Sequence, residues 1–252
     1  MKSLSIGAAW LEASAFLRRE SALLLPVALL FLAVPLALVF QSIPPEMQQV
    51  AATASAEPPQ MPLSSALTIL FSGLVIIAGT LALYALALKP GISVGEALAL
   101  GVRRLPVSLA TTLLEGLVVM VPVILISTVS VASGFLVMMV GAFLLSTRLL
   151  MLNARIVDRP VGVVQALRDS WTMARGSMPR LLLYVAAISF PIMLAETVGQ
   201  IVLGFLGFAL GGADLGRAMG EVGAAVVLAL GQMVMIVMTA RLYRQLAGRL
   251  DR

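Results

Sequence analysis

LSSALTILFSGLVIIAGTLALYALAL, residues 63–88, runs 26 positions without a charged side chain. An α-helix needs about 20 predominantly apolar residues to cross a bilayer core of about 30 Å. In lipid every backbone polar group must be bonded internally, so such a stretch reads as a spanning helix. Five further apolar stretches surround it, at roughly 21–40, 107–127, 131–152, 181–208 and 222–243. The connections between them alternate in charge. Lys2, Arg18 and Arg19 precede the first stretch, and Lys89, Arg103 and Arg104 lie between the second and third. Arg148, Arg155, Arg159, Arg168, Arg175 and Arg180 surround the fourth-to-fifth connection, and Arg241, Arg244, Arg249 and Arg252 end the chain. Only Arg217 among the basic residues falls on the other side. By the positive-inside rule both termini are expected in the cytoplasm.

Composition agrees. Hydrophobic residues make up 60% of the chain and mean hydropathy is +1.06, against about 45–50% apolar residues in a soluble domain. Six spans fill most of the 252 residues, so a single membrane domain, 1–252, is expected. The net charge of +5 then reports orientation and attraction to anionic headgroups, about 1 kcal/mol per charge. Basic residues spread over short loops facing a membrane argue against nucleic acid. The chain has no cysteine and no histidine, which removes thiol chemistry, the usual general base and the commonest metal ligand. No cofactor is expected. The small residues 52–56 (ATASA) follow an apolar run too long and too late for a signal peptide, so the first span is expected to stay uncleaved. The simplest location is a bacterial cytoplasmic (inner) membrane.

A loose repeat is visible. Ile6-Gly7 leads through Arg18-Arg19 to a span with Pro26 and Pro35. Val94-Gly95-Glu96-Ala97-Leu98 leads through Arg103-Arg104 to a span with Pro122. Val161-Gly162 and Gln165-Ala166-Leu167 lead through Arg175 and Arg180 to a span with Pro191. The expected fold is therefore all-α, six spans arranged as three hairpins over about 1–88, 89–157 and 158–252. Each hairpin is expected to begin with a short amphipathic cytoplasmic helix. Ser93 and Glu96 form a capping box that would start the second of these. Asp158 and Pro160 are start signals for the third, with Val164, Leu167, Trp171, Ala174 and Met178 on its apolar face and Gln165, Arg168, Asp169, Thr172 and Arg175 on its polar one. Such helices either lie in the headgroup plane or pack on the end of the bundle. On the other side, residues 41–62, a tight turn near 127–131 and Gly211–Glu221 read as loops. Gly204, Gly207 and Gly211 form a small-residue seam suited to close helix contact.

Two carboxylates lie inside spans, Glu115 and Glu196. An ionisable group in the membrane costs about 2.5–3.5 kcal/mol or more, so each is a candidate for binding a cation or amine, or for exchanging protons. The other reading is a protonated group bonded to Gln200, Gln232, Thr111 or Thr197. No set of residues with the spacing of a catalytic triad, a metal site or a phosphate-cradling glycine loop is present.

The most distinctive run is Arg148, then Ala154-Arg155-Ile156-Val157-Asp158, Val161-Gly162, Ala166-Leu167-Arg168-Asp169-Ser170-Trp171 and Arg175-Gly176. It resembles a signature of the membrane domain attached to some bacterial glycerophosphoryl diester phosphodiesterases, and of related stand-alone six-span inner-membrane proteins. The specific motif covers about thirty residues, and the number of spans fits over the whole chain. The catalytic barrel of that family, with its metal-binding carboxylates, has no counterpart here. The resemblance therefore implies a membrane module without phosphodiesterase activity, and it highlights Arg148, Ser170, Trp171 and Arg175. These residues, with Arg168, either clamp the third amphipathic helix to the bundle or contact lipid phosphate through their guanidinium groups. The expected function is a non-enzymatic membrane protein that handles or senses lipid or another amphiphile. A permease or channel using Glu115 and Glu196, and a structural partner of another membrane protein, are the alternatives.

Overall fold

The computed structural model describes residues 5–43, 61–128 and 130–247, without the side chains of residues 131 and 132. Most of the expected loop at 41–62 thus lies outside the described residues. Every regular element among the described residues is helical. In chain order these are α1 (Ile6–Ser42), α2 (Leu63–Leu88), α3 (Val94–Ser127), α4 (Val131–Arg148), α5 (Leu152–Asp158), α6 (Val163–Ala174) and α7 (Met178–Ala247). Five helical stretches are long and apolar enough to cross a membrane: α1, α2, α3, the α4–α5 stretch from Ser133 to Asp158, and α7.

α1 and α3 show where the repeat pattern departs from the fold. Short helices set apart from the spans were expected at the start of each hairpin. Instead α1 is one helix of 37 residues and α3 one of 34, about 55 and 51 Å long at 1.5 Å per residue. Nothing between Ser5 and the first span breaks the chain, and α3 runs straight through Pro106. The Ser93–Glu96 capping box does form, with Glu96 accepting from the Ser93 amide at 2.9 Å and the Ser93 hydroxyl accepting from the Glu96 amide at 3.3 Å. Only the third copy has a separate helix, α6, because Gly176 takes φ +74° just beyond it, a conformation that favours glycine. Asp158 does not cap α6. It ends α5, and α6 starts at Gly162 without a side-chain cap.

Pro26 and Pro35 shape α1. Between them residues Leu29–Ala33 form a π turn, in which the Val34 amide reaches back to the Leu29 carbonyl. Proline has no N–H and its ring clashes with the carbonyl four residues back, so widening the turn relieves both problems. The widened turn lies on α2: a Cβ built on Gly79 would stand 2.5 Å from the Phe31 Cβ.

The expected loop at Gly211–Glu221 reduces to Gly211–Gly212. Gly212 has φ +81°, and the helix resumes directly after it, so Asp214, Arg217 and Glu221 are helical. The small residues that follow allow this, because they pack closely on the preceding arm. The two arms of α7, 178–210 and 213–247, fold back on each other. A Cβ on Gly223 would lie 2.9 Å from the Gly199 carbonyl, and one on Gly207 would lie 2.6 Å from that of Leu215. Lower in the hairpin, the Tyr184 hydroxyl donates to the Met235 carbonyl at 3.1 Å.

The core lies at the basic end. Residues 78–88 of α2 are all buried, as are most of α5 and residues 236–243 of α7. Ser5 and Gln245 exchange hydrogen bonds of 3.1 and 3.3 Å, which holds the start of α1 beside the end of α7. Toward the other end the helices present mainly exposed apolar side chains, and the apolar part of α3 is almost entirely unburied.

Candidate functional site

α6 sits across the basic end of α3 and α4, and its buried stripe is Ala166, Ser170, Met173 and Ala174. Of the apolar stripe, Ala174 is buried and Leu167 half-buried, whereas Val164 and Trp171 are exposed. An ion pair fixes this orientation. Asp169, on the expected polar face, points inward to Arg155 of α5, whose Nε and Nη2 both approach its carboxylate at 2.8 Å. The pair is well shielded, with side-chain exposures of 8% and 17%. A second link joins the same region to α7, where the Tyr243 hydroxyl donates to Asp158 at 2.7 Å. Breaking such a buried pair leaves an uncompensated charge, so these contacts hold α6 in one orientation.

That orientation brings Ser170 and Trp171 onto Arg148, at the end of α4. The Ser170 hydroxyl donates to the Arg148 carbonyl at 3.3 Å. The Arg148 guanidinium stacks on the Trp171 ring, 4.8 Å from its centroid, a cation–π contact. Main chain and side chain of one arginine are thereby held by consecutive residues of α6.

Beside this contact a groove opens between α3, α4 and α6. Its larger part, about 450 Å³, runs along Val118, Pro122, Val137, Gly141 and Leu144 and ends at Arg148 and Trp171. A smaller part of about 200 Å³ reaches Glu115 past Leu149 and Leu167. The two share Val118, Leu145 and Trp171. The lining is apolar, with Arg148 and Glu115 its only charged side chains. This is the composition of a site for an elongated molecule with one polar end: mostly hydrophobic walls and few placed polar groups.

The remaining candidates lie elsewhere. Arg168 on α6 and Arg175 at its C-terminal end are exposed, away from the groove lining. Glu196 lies on the first arm of α7, and α3 packs on α2 and α4 rather than along that arm. The structure therefore does not bring Glu115 and Glu196 into one interior. The threonines named as partners for them are engaged in their own helices: Thr111 donates to the Ser108 carbonyl at 2.7 Å and Thr197 to the Met193 carbonyl at 2.9 Å. A hydroxyl one turn from a helical carbonyl bonds it readily, which leaves its oxygen only to accept from a protonated glutamate.

Sequence reading missed the Arg155–Asp169 and Tyr243–Asp158 pairs, since the contacts span 14 and 85 positions and no residue of the four stands out alone. It also placed Glu221 in a loop, whereas Glu221 is buried on α7, 3.9 Å from Arg217. Among the described residues no three of His, Cys, Asp and Glu gather where they could hold a metal. Comparison with family models, with curated proteins and with solved structures gives no match to this chain.

Proposed function

We propose that this chain is a non-enzymatic, six-span protein of a bacterial inner membrane, with both termini cytoplasmic, that holds a lipid or similar amphiphile in the groove between α3, α4 and α6. The observation that carries this reading is the groove itself: an apolar channel of about 450 Å³ ending at Arg148 stacked on Trp171. An acyl chain fits the walls, and an anionic or dipolar head fits beside a guanidinium. The count of six follows if each arm of α7, 33 and 35 residues long, crosses separately, as their lengths permit. The likeness of residues 148–176 to the membrane domain attached to some glycerophosphoryl diester phosphodiesterases supports a lipid-facing module, because Arg148, Leu149, Leu167 and Trp171 of that run close the basic end of the groove.

Gly141 supplies the test. A Cβ there meets nothing within 4 Å, so Gly141→Leu fills the groove without disturbing the helices. Native mass spectrometry of the wild type from gentle detergent is expected to show one bound lipid class at fixed stoichiometry, lost in Gly141→Leu at unchanged thermal stability. A wild type released bare, or a variant that keeps its lipid, sinks the reading. A second reading, a structural partner of another membrane protein, draws on the nearly unburied surface of α3. A protein co-purifying at fixed ratio and lost on Leu117→Ala/Leu125→Ala would favour it.

A further inference from the structure

Arg241 belongs to the last apolar stretch, yet its residue exposure is 8% and its Nε–H has no hydrogen-bond partner among the described residues. A buried guanidinium group with an unanswered donor is costly and calls for a partner. Its guanidinium lies over the Phe16 ring, 4.5 Å from the centroid, which offsets part of the cost. Near it are Arg244 and Arg19, both like charges, and Glu12. Two arginines beside a third raise the local potential instead of neutralising it.

These groups surround a cavity of about 380 Å³ at the basic end, separate from the α3–α4–α6 groove and sharing no lining residue with it. Its charged lining is Arg19, Lys89, Arg241 and Arg244 against the single carboxylate of Glu20. The rest is largely apolar, with Leu24 of α1 and Leu86 of α2 among the walls. The rim is organised. Arg244 donates through Nη2 to the Leu88 carbonyl at 2.6 Å, fixing its guanidinium at the end of α2. The Arg19 Nε is bonded to Glu20 at 2.8 Å, so the one carboxylate of the cavity is already engaged. Lys89 and Gly91 close the side in the connection to α3, where Gly91 turns the chain at φ +80°.

We propose that this cavity binds a phosphate group, with the Arg241 Nε–H as its buried donor and Lys89 and Arg244 at its rim. Guanidinium and ammonium groups converging on one space fit a phosphate oxygen set better than a single carboxylate, because they offer more donors than a carboxylate can accept. Two sources share that chemistry: the headgroup of an anionic phospholipid, for which basic pockets between helices are suited, and a free phosphate ester. The apolar walls favour the first. The proposal stands independently of the amphiphile groove, since the two sites have no residue in common.

The test is a thermal-unfolding titration of the full chain in mild detergent, with dihexanoyl phosphatidylglycerol, dihexanoyl phosphatidylcholine and inorganic phosphate as probes. Saturable stabilisation by the anionic lipid, absent with the zwitterionic one, is expected. Arg241→Gln should weaken it at least tenfold and Lys89→Gln several-fold, whereas Arg168→Gln on the exposed face of α6 should leave it unchanged. If inorganic phosphate stabilises with the same sensitivity to Lys89→Gln, the site takes phosphate itself and the proposal stands with the second source. Should Arg241→Gln fail to fold, Lys89→Gln decides alone, since Lys89 is only half-buried and outside the core. No saturable effect of either anion, or one indifferent to Lys89→Gln and Arg241→Gln alike, overturns it.

Discussion

The two arms of α7 and the hairpin of α3 with α4 are both antiparallel pairs of apolar helices, but they are packed by different means. Along α7, Gly199, Gly204, Gly207, Gly216, Gly220 and Gly223 alternate across the contact, and a Cβ on most of them would press into the facing backbone at 3.0 Å or less. In lipid no hydrophobic force drives helices together, so close backbone approach and dispersion must do it. On the other hairpin Gly116 and Gly141 face open space. There the close glycine contact is at the turn, where a Cβ on Gly134 would run into Ser127, and the groove opens toward α6. One pair of helices is closed by small residues; the other is left open by large ones, and the opening is the candidate site. A glycine's meaning in a membrane helix is thus set by what faces it.

The largest effect should come from closing that distinction. Gly223→Leu forces the α7 arms apart and is expected to cost several kcal/mol, at or beyond the upper end of ordinary overpacking, read as a collapse of the unfolding temperature in detergent. Gly116→Leu, the same change on the open hairpin, should fall within about 0.5 kcal/mol of wild type. Equal damage in both would show that the open hairpin is packed after all.

Next in size is the link that orients α6. Arg155→Ala should destabilise by roughly 3 kcal/mol by stranding Asp169, and it should also release the groove's lipid if α6 forms one wall. The double change Arg155→Met with Asp169→Leu should recover most of the stability, because it removes both charges together. Loss that persists in the double variant would mean the pair does more than neutralise itself. Tyr243→Phe removes the hydroxyl that donates to Asp158 and lies against Arg155, and should cost about 1 kcal/mol by the same unfolding measurement.

The smallest effect concerns the start of α3. Backbone and hydroxyl hydrogen bonds from Ser93 hold the Glu96 carboxylate below its ordinary pKa. A group whose folded value is lowered stabilises above its unfolded value and ceases to do so as pH falls through the folded one. The unfolding temperature of Glu96→Ala should therefore lie slightly below wild type at pH 7 and merge with it in acid. A gap that persists at low pH would locate the contribution elsewhere than in the carboxylate.

Much of this was readable beforehand, for physical reasons that can be named. Spanning length and the Ser93–Glu96 box are local patterns, and each corresponds to a local structure. What sequence could not separate was outward-facing from bundle-facing apolar surface: Leu86 is buried and Leu117 exposed, although both are leucines within long apolar stretches. In water the two would differ, because only one face of a surface helix is apolar; in a membrane both faces are. The same blindness hid which apolar residues of α6 pack inward: Ala166 and Met173 are buried, whereas Val164 and Trp171 are exposed. Charges misled in the opposite sense. Asp214, Arg217 and Glu221 suggested a loop where helix continues, and Arg241 read as one more orienting charge. Its position inside an apolar stretch was the available signal.

The fold-back at Gly211–Gly212 also bears on how the chain reaches its membrane. If both arms of α7 cross, the two residues between them would make the arms a single unit of insertion, with Asp214 and Arg217 in the first turns after the bend. Each arm alone would then meet lipid with a row of bare glycine backbone. Pairing before or during entry would supply the dispersion contacts that row lacks, making the seam a rule for biogenesis as well as for the finished bundle.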